Sequence, residues 1–418
     1  MEIEKDLDVV HERAAGLDIS KRDAKLCVRV PGARPGTYTS KVTTWAATTG
    51  QVLELREYLE QARVDMVVME ATSDYWKPFY YLLEETVPVM LVNAKSAKNL
   101  PGHKTDVKDA AWLARMGAYG LLRASFVPPE PIRDLRDLTR ARAIAARDRV
   151  REIQRLEKFL EGSGIKLSSV VSDLTGVSSR DMLEALIRGE RNPEVLAGMA
   201  RGTLRSKIPA LVDALTGRFR PHHAFMARLH LDQIDAHTRT IEALTQHIEE
   251  AMKPFRDARE ALATIPGVSQ RVAEVIIAET GANMTVFDTP ARLASWAGVC
   301  PGANESAGHI KSAHILPGNK YLKAALGTAA MSATRSKNTY LAAKYRRITA
   351  RAGRNKALVA VEHSILNAAW HMLRNGEIYN DPGADHYNRI SPTRAKNKAI
   401  KQLNNLGYDV TITPVTAA

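Results

Sequence analysis

The chain has 418 residues, 45% of them hydrophobic, which is enough for two or three packed cores and too many for one. Lysine and arginine number 59 against 46 aspartates and glutamates, and the net charge of +13 favours polyanionic partners, nucleic acid first. The two cysteines, Cys27 and Cys300, exclude a disulfide framework and a cysteine-based zinc site. No stretch reaches the roughly 18 apolar residues of a membrane span, and the acidic start MEIEKDLDVV has no apolar signal region, so a reducing cytoplasm is expected.

From about residue 13 to 125, short apolar runs alternate with helical stretches, the pattern of an α/β sheet with covering helices. Strands are predicted at Ala14–Ser20, Ala24–Val30, Tyr38–Ala46, Asp65–Met69 and Val87–Val92, and helices at Gln51–Ala62, Asp74–Glu85 and Thr105–Tyr119. Three early strands in a meander, then helix, strand, helix, strand, helix, is the RNase H-like order. Phe126–Pro131 carries three prolines and reads as a hinge, so a first domain is expected over 1–125.

Residues 132–160 place Leu135, Leu138, Ile144, Val150, Ile153, Leu156 and Leu160 at helical spacing among many charges, which predicts a long exposed helix with a coiled-coil seam. More helices are expected through 178–252, Ile241–Met252 among them, making 126–257 a helical linker domain. A mainly α domain then covers 258–380. It opens with Ile265-Pro-Gly-Val and the helical Arg271–Thr280, the pattern of a helix-hairpin-helix whose turn amides can hold a phosphate. Helices follow at about 290–297, 319–335, 338–352 and 355–374. Pro382, Gly383 and Pro392 interrupt a polar extension over 381–418.

Four carboxylates fall at telling places. Asp18 closes the apolar run Ala-Ala-Gly-Leu-Asp and Glu70 closes Met-Val-Val-Met-Glu, each at the end of a predicted buried strand where a lone charge is costly. Asp106 and Asp109 are three apart at a predicted helix start, where acids also serve simply as caps. If the first and fourth strands are parallel neighbours and the 105–119 helix crosses them, all four converge. Such a set repels itself unless a hard cation, Mg²⁺ or Mn²⁺, binds it, and two such metals serve phosphate chemistry.

Two basic or nucleophilic features lie further on. Gly298-Val-Cys-Pro-Gly-Ala-Asn-Glu-Ser306-Ala-Gly308-His309-Ile-Lys311 is a loop of small residues that lets a phosphate come close to Ser306, with Ser312 the nearest competing hydroxyl. His309 and Lys311 are candidate phosphate donors beside it. The stretch from Arg335 to Lys356 holds eight lysines and arginines and no acid, a density that fits phosphate contact. Lys104, Lys320, Arg335, Lys337, Lys344, Arg346 and Arg347 are the candidate nucleic-acid contacts; Tyr340 and Tyr345 either stack on bases or pack in the core.

The set Gly16-Leu-Asp18-Ile-Ser, Val-Met-Glu70-Ala-Thr and Lys104-Thr-Asp106-Val-Lys-Asp109-Ala resembles the DEDD motif of the IS110 family of insertion-sequence transposases. The likeness continues through Ile265-Pro-Gly-Val and Leu293-Ala-Ser-Trp-Ala-Gly-Val-Cys-Pro-Gly to Gly318-Asn-Lys-Tyr-Leu, covering most of 14–120 and 262–375 in the family's order. The resemblance implies a RuvC-like N-terminal domain, similar to four-way-junction resolvases, with Asp18, Glu70, Asp106 and Asp109 as metal-holding catalytic residues. It implies a C-terminal transposase domain in which Ser306 is the nucleophile that joins covalently to DNA. The family's usual Ser-Ser-Gly-Gly is here Glu305-Ser306-Ala307-Gly308-His309. Also implied are donor and target DNA as substrates, a structured bridge RNA that selects them, and a homo-oligomer, dimer or tetramer, in which carboxylates of one protomer complete a site with the serine domain of another.

Other readings of the same residues stay open at this stage. A metal-dependent junction-cutting nuclease would use water and leave Ser306 incidental. A phosphotransferase of the sugar-kinase type also begins with an aspartate after a small-residue strand, but the glycine-rich adenosine loops it needs are missing from the sequence. A non-enzymatic nucleic-acid-binding protein would keep full activity with all four acids neutralised.

Overall fold

A computed structural model describes residues 8–93, 109–302, 304–306, 309–312 and 314–413. The chain divides into two units, Met1–Val127 and Pro128–Ala418.

The first unit is built on one five-stranded sheet. Its strands are β1 (Ala14–Ile19), β2 (Asp23–Pro31), β3 (Tyr38–Ala46), β4 (Met66–Glu70) and β5 (Val89–Val92), in the spatial order β3-β2-β1-β4-β5. β1, β2 and β3 pair antiparallel, whereas β4 and β5 join parallel to β1 and to each other. This is the meander followed by crossovers that the sequence order predicts. Strand residues alternate between faces. Leu17, Leu26 and Met69 point to one face and pack there against Val52, Leu55 and Leu59 of α1 (Thr49–Gln61) and Phe79 and Leu83 of α2 (Trp76–Leu83). On the other face Val68 packs with Trp112 and Leu113 of α3 (Asp109–Ala118), so the sheet is covered on both sides. The expected start of that last helix at Thr105 lies outside the described residues.

The second unit is mostly helical. α4 (Glu130–Gly162) and α8 (Pro221–Ala251) are its two long helices and pack along one another. Between them in sequence, α5 (Val177–Arg188), α6 (Pro193–Gly198) and α7 (Ile208–Leu215) wrap a core of Leu156, Leu160, Met182, Leu186, Leu211 and Leu231. The predicted seam of α4 holds at Leu135, Leu156 and Leu160, which are buried, and fails at its middle. There Ile144 and Val150 are 43% and 52% exposed while Arg142 is 6% exposed. Ion pairs to a later helix, described below, turn the charged side inward at that point.

The rest of the unit comprises α9 (Arg256–Ala263), α10 (Gln270–Thr280), α11 (Pro290–Ala297), α12 (Lys320–Ala333), α13 (Tyr340–Ala352) and α14 (Arg354–Asn375), followed by α15 (His386–Ile390) and α16 (Pro392–Asn405). Side-chain caps fix several starts: Ser269 accepts from the Val272 amide, Thr289 from Arg292, Asn319 from Tyr321 and Leu322, and Thr339 from Ala342. Within the stretch expected to be a loop, Asn304–Ser306 (β6) and His309–Ser312 (β7) form a small antiparallel hairpin. Strands this short carry too few residues for alternation to show in sequence.

Candidate carboxylate site and basic surface

In the β1–β4 ladder Gly16 stands beside Val68 and Leu17 beside Met69. The next residues along the two strands are Asp18 and Glu70, so these carboxylates end neighbouring parallel strands, which run about 4.8 Å apart. By alternation both lie on the face of Gly16 and Val68, the face that α3 covers. Glu70 in turn pairs with Val92 of β5, and Asp18 with Lys25 of β2.

The place of α3 follows from two contacts. A Cβ on Gly16 would come within 2.1 Å of the Ala110 carbonyl oxygen and 2.5 Å of the Ala114 nitrogen, so only glycine lets the helix lie this close to β1. At its other end the Ala118 carbonyl accepts from the amides of Val10 and His11, just before β1 begins. The helix therefore runs opposite to β1, and its first residue, Asp109, lies toward the edge where Asp18 and Glu70 end their strands. All three acids are half-buried. Asp109 in the first turn also complements the positive end of the helix dipole. Among the described residues no three His, Cys, Asp or Glu side chains stand close enough to hold an ion by themselves. Asp106 and Lys104 lie outside the described residues.

In the second unit Ser306 closes β6 directly opposite His309, the first residue of β7, so the serine stands at the turn end of the hairpin. His309 is exposed; of the side chains of Ser306, Lys311 and Ser312 nothing is described. The hairpin stem is held where α11 ends and α12 is about to begin. Pro301 bridges Ile315, and the Gly302 amide donates to the His314 carbonyl at 3.0 Å. Gly298 (φ 74°) and Gly318 (φ 55°) pass so closely that a Cβ on Gly318 would lie 2.2 Å from the Ala297 carbonyl oxygen. The glycines of the Gly298 and Gly318 motifs thus fasten the base of the serine hairpin.

The basic run splits by position. Arg335, Lys337, Arg346, Arg347, Arg351, Arg354 and Lys356 are exposed. Lys344 instead turns inward and donates to Ser364 Oγ, and burial lowers its pKa. Arg347 lies 4.3 Å above the Tyr387 ring. Tyr340 packs edge-on to His386 and stacks with Tyr387, and burial pushes its phenol upward. Of the two roles read for Tyr340, packing is the one observed. Lys320 is exposed at the start of α12.

Sequence reasoning missed the buried ion pairs that join α4 to α10. Glu279, fully buried, accepts from Arg140 Nε and Nη2, both at 2.7 Å, and from Asn319 Nδ2 at 2.7 Å. Arg136 donates to the Ala278 and Glu279 carbonyls. Arg142 Nη2 donates to Glu274 Oε2 at 2.5 Å. Each arginine and its acid are more than 130 positions apart, beyond any local spacing rule.

These positions fall within segments that match known families. The IS110 DEDD transposase family model matches residues 15–164, which include Asp18, Glu70, Asp106 and Asp109. A second model, described as transposase of the IS116/IS110/IS902 family, matches 259–346, including the serine hairpin. The chain belongs to the IS110 family of transposases. It is also similar to the 43.6 kDa protein of insertion element IS110 from Streptomyces coelicolor, with 30% identity over 183 residues, 43% of this chain. That match spans 39% of the Streptomyces protein. Among the described residues no helix is long and apolar enough to cross a membrane.

Proposed function

We propose that the chain is a DNA transposase that cuts and rejoins strands at a divalent-cation carboxylate site in the first unit, with Ser306 of the second unit as nucleophile. The observation that carries this reading is the adjacency of Asp18 and Glu70 at one sheet edge, on the face where α3 brings Asp109. The order of the sheet and its helices agrees with a RuvC-like domain. Asp106, three residues before Asp109 in sequence and outside the described residues, is the fourth carboxylate of the set. The donor set is all carboxylate oxygen, which suits Mg²⁺ or Mn²⁺ and disfavours softer metals. When bound there, such a cation would polarise a phosphate and neutralise charge on its oxygens.

The chain's own groups supply the rest. Asp18, Glu70, Asp106 and Asp109 would hold the cation that offsets the charge of the scissile phosphate. Ser306 Oγ gives up its proton, forms a bond to phosphorus, and expels one DNA oxygen as the leaving hydroxyl; the phosphoserine ester so formed keeps the energy of the broken bond for rejoining. His309 and Lys311 flank that position as phosphate donors. Arg335, Lys337, Arg346 and Arg347, with Lys104 and Lys320, bind DNA or RNA backbone, and Lys344 supports that helix from inside. Bridge-RNA guidance and assembly as a homo-oligomer, in which two protomers share a site, complete the reading.

The experiment uses the full chain with its copurified nucleic acid and labelled DNA bearing the flanks of its own gene. The wild type should leave a protein–DNA adduct that survives denaturation, Ser306→Ala should leave none, and Asp18→Asn should abolish cleavage. Cleavage by Ser306→Ala at the wild-type rate would mean that water is the nucleophile; undiminished cleavage by Asp18→Asn would remove the carboxylate site.

A further inference from the structure

A cleft of about 450 Å³ opens within the second unit between α4, α10 and α12, with Ile241 of α8 at its side. Its walls are largely carbon, from Ala143, Val272, Val275, Ala324 and Tyr321. Its charged groups are almost all cationic: Arg140, Arg142, Arg147, Arg271 and Lys320 line it, with Glu279 the one acid. Glu279 is already matched by Arg140, which pairs with it through two hydrogen bonds. Arg147, Arg271 and Lys320 are exposed, and the α10 start, capped by Ser269, lies on the same cleft.

Arg142 gives the cleft its direction. The side chain is 7% exposed and reaches Glu274 through Nη2, while its Nη1 is buried with no hydrogen-bond partner. A buried guanidinium nitrogen without an acceptor in the chain is one that a ligand oxygen would satisfy. A phosphate oxygen is such an acceptor, and the exposed cations around Arg142 would draw it in. The carbon walls suit a flat apolar ring, in a volume suited to a small ligand.

We propose that this cleft, in a protein that handles nucleic acid as argued above, takes one unstacked nucleotide of a DNA or RNA strand. Its phosphate lies with Arg142 Nη1, Arg147, Arg271 and Lys320, and its base against the aliphatic wall of α4, α10 and α12. Base extrusion of this kind costs stacking, which apolar and aromatic walls return. None of its lining residues belongs to the carboxylate set or to the serine hairpin.

The test measures binding of fluorescein-labelled dT12 and rU12 to the full chain, beside the same strands with abasic sugars at the centre. Ala143→Trp fills the cleft without altering charge and should weaken binding by about tenfold, equal to the loss of the abasic strand on the wild type; Ala143→Trp should not distinguish an intact strand from its abasic counterpart. Arg271→Ala and Lys320→Ala, both at exposed positions, should each weaken binding about fivefold. The strand that loses more on Ala143→Trp, dT12 or rU12, identifies DNA or RNA as the source. If all three variants bind as the wild type does while Arg346→Ala/Arg347→Ala binds less, the cleft holds no nucleotide and the nucleic-acid reading survives. If the wild type itself binds neither strand, both readings fall.

Discussion

Gly16 shows how one missing side chain sets the candidate site. With no Cβ in the way, α3 lies against β1 and its first residue, Asp109, comes to the edge of Asp18 and Glu70. Gly16→Ala puts a methyl into the Ala110 carbonyl, and overpacking of this kind costs ~1–3 kcal/mol. Thermal unfolding should show the first unit melting several degrees lower, with cleavage reduced beyond what the lost stability explains because the acids no longer meet. A variant that melts with the wild type would mean that the helix has room to spare. The residues of the acidic set were legible in sequence because each closes an apolar run or opens a helix. The adjacency of Asp18 and Glu70 was legible only in part: alternation gives the face, but the parallel neighbour of β1 and the close crossing of α3 are long-range facts. Arg142 was not legible, since a charged residue in a charged helix reads as solvated.

Elements with strong periodicity were read nearly to the residue. β3 and α11 span the predicted residues, and α14 and the five-strand order follow closely. The β6–β7 hairpin was hidden, since three- and four-residue strands of small residues have no such spacing. The exposed Ile144 and Val150 of α4 mislead for the opposite reason: regular apolar spacing is present, yet pairing of Arg142 with Glu274 rotates another side inward. Charge also ties α5 to α8. Glu184 accepts from Arg228 and Arg180, and Arg180 in turn holds Asp235 through bonds of 2.9 and 2.7 Å. Hydrogen bonds, from Arg228 first, hold the Glu184 carboxyl below its usual value of 4.5. A carboxyl lowered in the folded chain stabilises it above the unfolded pKa, and that contribution is lost as pH falls through the folded value. Denaturant melts between about pH 5 and pH 3 should therefore show a smaller loss of stability for Glu184→Gln than for the wild type. Parallel loss in the two proteins would mean that these arginines add nothing at Glu184.

At the scale of the whole molecule, the first unit concentrates carboxylates at one edge of a sheet, and the second carries the serine hairpin and most of the exposed cations. This separation of charge is legible in the sequence, where the acidic motifs precede residue 110 and the acid-free basic run follows residue 334. Cutting and rejoining at the first unit requires the acids to form one cation-binding group. Isothermal titration of Mn²⁺ into the full chain tests this most directly, using wild type, Asp18→Asn and Glu70→Gln, with circular dichroism to confirm equal folding. Saturable binding to the wild type and affinity lowered at least about tenfold in each variant is the expected result; equal Mn²⁺ affinity in all three folded proteins would contradict it.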